Sequence, residues 1–116
     1  TLLLRNGVQL DQSSSTMPAA TMEPRTAIGV SQDGKTVYLM VVDGRNFYYS
    51  NGADLYDLMN LMSACGAGDA LNLDGGGSST FIAKDAVSGE LKLLNWPTDK
   101  GGVMRDVATG LAIVEQ

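Results

Sequence analysis

Short runs of apolar and β-branched residues in the first third of the chain are typical of β-strands. Four strand-like runs form two pairs, residues 2–4 with 8–10 and residues 26–30 with 36–42. Asn6-Gly7 separates the first pair, and these residue types suit the positive φ angles of a type I′ turn. Asp33-Gly34 separates the second pair. The pattern predicts two antiparallel hairpins, joined by a polar surface loop over residues 11–23.

The hydrophobic spacing becomes helical after residue 51. Five side chains recur at intervals of three or four residues: Leu55, Leu58, Met59, Met62 and Cys65. Asn51 is a suitable N-cap residue, and Gly66 can adopt the left-handed conformation that ends a helix. The spacing predicts one amphipathic helix whose methionines and cysteine pack in the core.

Strand-like runs return in the rest of the chain. They cover residues 70–74, 80–83, 91–94 and 107–114. The helix and strands do not alternate as they do in βαβ units, so the predicted fold class is α+β. We expect a curved, mostly antiparallel sheet packed on the single helix.

Composition limits the classes of function. With 116 residues, 44% of them hydrophobic, the chain is long enough for one domain with a core and too short for two. A net charge of −5 argues against nucleic-acid or anionic-membrane partners, which favour clustered lysine and arginine. The chain has one cysteine and no histidine, which excludes an intrachain disulfide, a Cys/His zinc site and a histidine-based triad. No apolar run approaches the roughly 20 residues that span a bilayer.

The segment from residue 70 to residue 80, Ala-Leu-Asn-Leu-Asp-Gly-Gly-Gly-Ser-Ser-Thr, carries the clearest functional signal. Because side chains alternate along a strand, Asn72 and Asp74 are expected on one face. Glycines permit positive φ angles and let a ligand approach the peptide N–H groups, which can form an anion-binding concavity. The glycines are Gly75, Gly76 and Gly77, and the hydroxyl residues after them are Ser78, Ser79 and Thr80. A tight hairpin connection is the alternative, but the flanking polar residues favour a binding site.

Three arginines stand beside predicted strand ends or turns: Arg25, Arg45 and Arg105. The planar guanidinium group suits bidentate contact with phosphate or carboxylate. Asn95 lies in Asn95-Trp96-Pro97, a turn that can direct its amide inward. The Trp96 ring either stacks on a sugar or fills a gap in the core.

Taken in order, these segments resemble the phosphodiester glycosidases. The matching pieces are Pro24–Gly29, Val42–Arg45, Ala70–Thr80, Asn95 with Pro97, and Arg105 ahead of Val107-Ala108. This is the family of the mannose 6-phosphate uncovering enzyme, which removes N-acetylglucosamine from a sugar phosphodiester, and of bacterial envelope and exopolysaccharide proteins. Family domains continue N-terminal of Arg5-Asn6-Gly7, with an Asn-Gly-Gly-type motif there. Residues 1–116 are therefore expected to be a single domain or the C-terminal portion of a phosphodiester glycosidase-like domain, with the missing N-terminal portion as a partner.

The resemblance implies a hydrolase that cleaves the glycosidic bond of a sugar 1-phosphodiester and releases the sugar and a phosphomonoester. Arg25 and Arg105 are the expected phosphate ligands, assisted by the glycine backbone and the hydroxyls of Ser78 and Thr80. Asp74 is the first candidate for nucleophile or base, Asp43 is the second, and Asn72 orients the substrate. Further expected substrate contacts are Thr26, Arg45, Ser79 and Asn95. The resemblance also implies an exported protein, periplasmic, cell-surface or secreted.

Three alternatives stay open from the sequence. Asp43, Asn72 and Asp74 are oxygen donors of the type that Ca²⁺ and Mg²⁺ prefer, so a divalent cation is a possible cofactor. The chain could instead be a non-catalytic module of the envelope that binds a glycan or sugar phosphate. Thr1 could act as an N-terminal nucleophile, although no other feature supports that reading.

Overall fold

A five-stranded antiparallel sheet and one helix form the body of the protein in the computed structural model, which describes residues 1–116. The sheet strands are β1 (Leu2–Arg5), β2 (Val8–Gln9), β3 (Arg25–Ser31), β4 (Val37–Val42) and β5 (Ala67–Asn72). Their spatial order is β2-β1-β5-β3-β4. Helix α1 spans Leu55–Cys65, and β6 (Ile82–Lys84) with β7 (Leu91–Leu93) forms a separate antiparallel pair. The α+β prediction, a mostly antiparallel sheet with one helix, is confirmed.

Both predicted hairpins are present. Asn6 and Gly7 have φ angles of 51° and 78°, as the turn between β1 and β2 requires. Strands β3 and β4 pair in continuous register from Arg25↔Val42 to Val30↔Val37, with Gly34 in the turn at a φ of 71°. Local turn chemistry therefore fixes the pairing of these strands.

Helix α1 packs its apolar stripe on one face of the sheet. Leu55, Leu58, Met59 and Met62 are buried beside Leu3, Leu4, Ala27, Ala67 and Ala70. The helix begins with a capping box in which Asp54 and Asp57 each accept from the other's backbone N–H. It ends at Gly66, whose φ is 100°. The two core methionines are as predicted.

Two details of the helix prediction are wrong. The N-cap residue is Asp54 and not Asn51, because the helical turn starts three residues later and Asp54 offers the reciprocal cap. Cys65 is exposed and not buried, because it lies in the last turn, beyond the stretch of helix that contacts the sheet.

The strand predictions of the C-terminal half need more correction. Strand β5 covers Ala67–Asn72, so Leu73 and Asp74 lie beyond its end. Residues 107–114 form no strand, and all of them are exposed, because the run pairs with no other strand of this chain. Helix α1 has 11 residues and is too short to span a bilayer.

Candidate functional site

A polar pocket of about 280 Å³ lies at the end of the sheet where β3 begins and where β4 and β5 end. Three segments that are distant in sequence meet there because antiparallel pairing places these strand ends together. The residues predicted for the site that line this pocket are Arg25, Arg45, Asp74, Gly75 and Gly76. Glu23 contributes a further carboxylate to its wall. The pocket thus combines two guanidinium groups with an exposed aspartate.

Each glycine of the triple-glycine turn is required for a different reason. A Cβ atom on Gly75 would stand 2.7 Å from the Pro24 carbonyl oxygen, so the two backbones could not approach this closely. Gly76 has a φ of 63°, in the region that glycine favours. The Arg105 guanidinium lies directly against Gly77, where a Cβ would overlap it. Substitution at any of the three would change the shape of the turn.

Two of the three glycine amides already have acceptors within the chain. The Gly75 N–H donates to Asp74 Oδ1 at 2.9 Å, and the Gly76 N–H donates to the Pro24 carbonyl at 2.9 Å. The first bond orients the Asp74 carboxylate, while the second ties the turn to the start of β3. The main role of the turn is therefore to shape the pocket and to position Asp74. It does not offer a set of free N–H donors.

Arg25 braces the pocket from inside. Its side chain is buried, and it donates from Nε to the Ala53 carbonyl at 2.9 Å and from Nη2 to the Thr21 carbonyl at 2.7 Å. Burial lowers the pKa of the guanidinium, and the charges of Glu23 and Asp54 oppose that shift. Because an arginine stays protonated in proteins, Arg25 places a fixed positive charge at the pocket wall.

Arg45 adopts a left-handed backbone conformation with a φ of 53°. Its Nε donates to Glu23 Oε2 at 2.5 Å, and its guanidinium lies beside Gly76. Half of the side chain remains accessible. An anionic ligand in the pocket can therefore contact Arg45 without displacing any core packing.

Arg105 packs against the glycine turn at Gly77. Its Nε donates to Asp99 Oδ2 at 3.0 Å, and its Nη2 donates to the other carboxylate oxygen, which makes a bidentate pair. The hydrogen bonds and charge of Asp99 raise the pKa of the Arg105 guanidinium, and the nearby charge of Asp74 adds to this effect. Asp74 thus lines the same pocket as Arg25 and Arg45 and also interacts electrostatically with Arg105.

The Asp99 carboxyl gives a measurable pH dependence. Its hydrogen bonds and charge interaction with Arg105 hold its pKa below the ordinary value of about 3.9. The ion pair is therefore complete above the ordinary pKa and is lost as the pH falls through the lowered one. In an Arg105→Met variant, we expect the carboxyl titration of Asp99, followed by carbon NMR, to move to higher pH.

A control for this titration lies in the β6–β7 hairpin. Lys92, with the backbone and hydroxyl of Ser88, lowers the pKa of Asp85 to about 2. This midpoint should not move in Arg105→Met. An unchanged Asp99 midpoint in the variant would show that Arg105 is not its partner in solution.

Asp43 and Asn95 form the second polar cluster. Asp43 accepts from Asn95 Nδ2 at 3.0 Å and from the Trp96 backbone N–H at 3.0 and 3.1 Å. Asn95 also donates to the Ser79 carbonyl at 2.9 Å and accepts from the Phe81 N–H at 2.7 Å. Asn95 is directed inward, as expected, but both residues connect chain segments and neither lines the pocket.

The other predicted site residues take varied positions. Asn72 is 4% exposed, with its Nδ2 3.6 Å from Met17 Sδ and no donor to its Oδ1. Asn72 and Asp74 therefore do not lie together on one face, because the strand ends between them.

The predicted hydroxyl residues lie within the chain's own contacts. Thr26 Oγ1 donates to the buried Ser79 Oγ at 3.2 Å, so these two hydroxyls are hydrogen-bonded to each other. Ser78 lies in a short 3₁₀ turn, and the buried Thr80 Oγ1 has no partner.

Glu23 and Asp99 were missed by the sequence analysis. Each is the carboxylate partner of a predicted site arginine. Glu23 stands 22 residues before its partner Arg45, and Asp99 stands six residues before Arg105, so no helical or strand spacing signals either pair. No group of three acidic, histidine or cysteine side chains lies close enough together to hold a metal ion, and the Ca²⁺ or Mg²⁺ site stays a prediction.

The fold is α+β, and its pocket combines arginine and carboxylate side chains at a glycine turn. The sequence matches the model of the phosphodiester glycosidase family over residues 1–114. The chain therefore belongs to the phosphodiester glycosidase family, which confirms the resemblance.

Two solved structures show the same fold. The first is the zebrafish N-acetylglucosamine-1-phosphodiester alpha-N-acetylglucosaminidase catalytic domain, auto-inhibited by its pro-peptide, with a TM-score of 0.72 and 25% sequence identity. The match covers 92% of this chain and 38% of that one. The second is a hypothetical protein from Synechocystis, with a TM-score of 0.57 and 29% identity, covering 78% of this chain and 16% of that one.

A sequence relative is the SPbeta prophage-derived uncharacterized protein YomE of Bacillus subtilis strain 168. It is 41% identical over 90 residues, which are 78% of this chain and 12% of the relative. The chain thus spans well under half the length of each of these three proteins.

Proposed function

We propose that the chain carries the phosphate-holding part of a phosphodiester glycosidase site, which cleaves a sugar 1-phosphodiester at the bond from sugar carbon to oxygen. One observation carries the proposal: Asp74 lines the same pocket as Arg25 and Arg45, and it lies within the field of Arg105. Family membership supplies the reaction class. The grouping of these arginines with Asp74 supports the proposal, because the reaction needs positive charge and a carboxylate close together.

The arginines would stabilise the leaving group. Cleavage at the sugar carbon expels a phosphate monoester, whose second pKa is about 6, so this group leaves with little need for protonation. Stabilising its developing negative charge is then the larger requirement. Arg45 and Arg105 have accessible side chains and can contact the phosphate, while the buried Arg25 contributes its charge from the wall.

Asp74 would act on the sugar side of the bond, as nucleophile or as base toward water. Its carboxylate is exposed and oriented by the Gly75 N–H, so it can approach a ligand in the pocket. Asp43 is less suited to this role because Asn95 and Trp96 already donate to it. Asn72 retains an acceptor without a donor, and a sugar hydroxyl that reaches past Met17 would supply one.

Hydrolysis in oxygen-18 water tests which bond breaks. We expect the released phosphomonoester to contain no label, because water oxygen enters at the sugar carbon. The phosphate product is the one to score, since the anomeric hydroxyl of a free sugar exchanges with water. Label in the phosphate would reject the proposed cleavage, and binding without product release would instead favour the non-catalytic sugar-phosphate-binding module.

A further inference from the structure

The face of the five-stranded sheet opposite helix α1 is apolar and uncovered. Tyr38, Met40 and Val42 of β4 pack toward the helix side, so the residues between them point the other way. We call this second side the open face, and its central residues are Leu2, Ile28, Val30, Val37, Leu39 and Leu71. Strand register places Leu39, Ile28, Leu71 and Leu2 in one row across four strands.

The open face is apolar, as a buried layer of a protein is, although its side chains are half-buried or exposed. Val37 is 56% exposed and Leu71 is 43% exposed, and a groove of about 420 Å³ runs between these strands. An antiparallel sheet with one solvated face normally alternates apolar and polar residues, whereas here both faces are apolar. Contiguous exposed apolar patches of this kind mark interaction surfaces. Arg5 and Asp69 provide charged positions at the edge of the groove.

We propose that the open face is the surface on which the remaining part of a phosphodiester glycosidase domain packs. The zebrafish catalytic domain contains this same fold as 38% of its chain, so family domains include ample further polypeptide. Strand β4 also lies at the edge of the sheet, where its outer backbone groups are free to pair with an added strand. An apolar layer and an open sheet edge together fit a segment of the same domain.

The open face extends to the candidate site. Thr26 pairs with Val41 and accepts the Leu73 N–H at 2.8 Å, so this last row of the face borders the turn that carries Asp74. Leu73 is 39% exposed. A segment packed on the open face would therefore reach the pocket and complete its wall. The proposal depends on family membership and not on the proposed reaction.

Thiol labelling tests this interface. Ile28→Cys places a reactive group on the open face, and Val87→Cys places one on the β6–β7 turn, where Val87 is 97% exposed. The native Cys65 is exposed and serves as an internal reference. Maleimide labelling of each site is measured by mass spectrometry, in the 116-residue chain and in the longest polypeptide that its gene encodes.

We expect the cysteine at position 28 to react at least ~10-fold more slowly in the longer polypeptide, while those at 87 and 65 keep their rates. Leu71→Cys is a second probe of the same row if Ile28→Cys fails to fold. Equal rates in both polypeptides would overturn the proposal. Slow labelling of the cysteine at position 28 in the 116-residue chain that becomes fast when the protein is diluted would also overturn the proposal. A second copy of the chain would then be covering the open face.

Discussion

Replacing Asp74 with asparagine is expected to lower the hydrolysis rate of a sugar 1-phosphodiester by about 1,000-fold, a typical effect of removing an acid–base group. Asparagine has the same shape, and its Oδ1 can still accept from the Gly75 N–H, so the turn keeps its structure. The amide lacks the charge needed for nucleophilic or base catalysis. The effect is measured as the turnover rate of a chromogenic sugar 1-phosphodiester. The rate of the Asp74→Asn variant is compared with that of a wild-type polypeptide that is active on this substrate.

Asp33→Asn is the matched control for this result. Asp33 lies in the β3–β4 turn, at the end of these strands remote from the pocket, and asparagine is also a good turn residue. Its activity should remain near that of the wild type. If Asp74→Asn retained most of the activity while binding substrate normally, Asp74 would be excluded as the acting carboxylate.

Replacing Arg25 with methionine is expected to lower the free energy of unfolding by about 3 kcal/mol. Methionine can fill much of the space, but both hydrogen bonds of the guanidinium would be lost, so the Ala53 carbonyl would keep only the Glu23 N–H at 3.2 Å and the Thr21 carbonyl would lose its Arg25 donor. Hydrogen bonds that involve a charged group contribute about 1.5–3 kcal/mol each, which is more than neutral ones contribute. Urea denaturation monitored by circular dichroism of helix α1 gives the free-energy difference.

Arg5→Met provides the comparison for Arg25. Arg5 is exposed at the end of β1, so its replacement should change the stability by less than about 0.5 kcal/mol. Arg25→Lys keeps the charge but not the planar pair of donors, and should fall between the two. Equal stability of Arg25→Met and Arg5→Met would show that the bracing bonds contribute little.

Local chemistry explains which parts of the fold were predictable from the sequence. Asn6-Gly7 and Asp33-Gly34 specify their turns by residue type, and the spacing of the α1 apolar residues specifies its buried side. The run 107–114 looks equally strand-like, but a strand needs a neighbour, and sequence spacing carries no information about pairing. The prediction of the N-cap residue of α1 was wrong for a related reason, since both Asn51 and Asp54 are suitable residue types.

The candidate site was predictable as a set of residues but not as a set of contacts. The triple glycine and the arginines indicated the region in which the structure has its polar pocket, because their residue types are unusual beside strand ends. Whether an arginine faces a ligand or holds the fold together depends on burial, which separates Arg25 from Arg45. The same applies to Asp43, which the sequence ranked with Asp74 and the structure joins to Asn95.

Trp96 is the only tryptophan of the chain, and its backbone is hydrogen-bonded to Asp43, two residues before the pocket arginine Arg45. The residue is 57% exposed, and its indole ring lies against Gly102. The protein consequently has a built-in fluorophore next to its site. Emission intensity and wavelength can report ligand-induced movement of this turn in real time, without any attached dye.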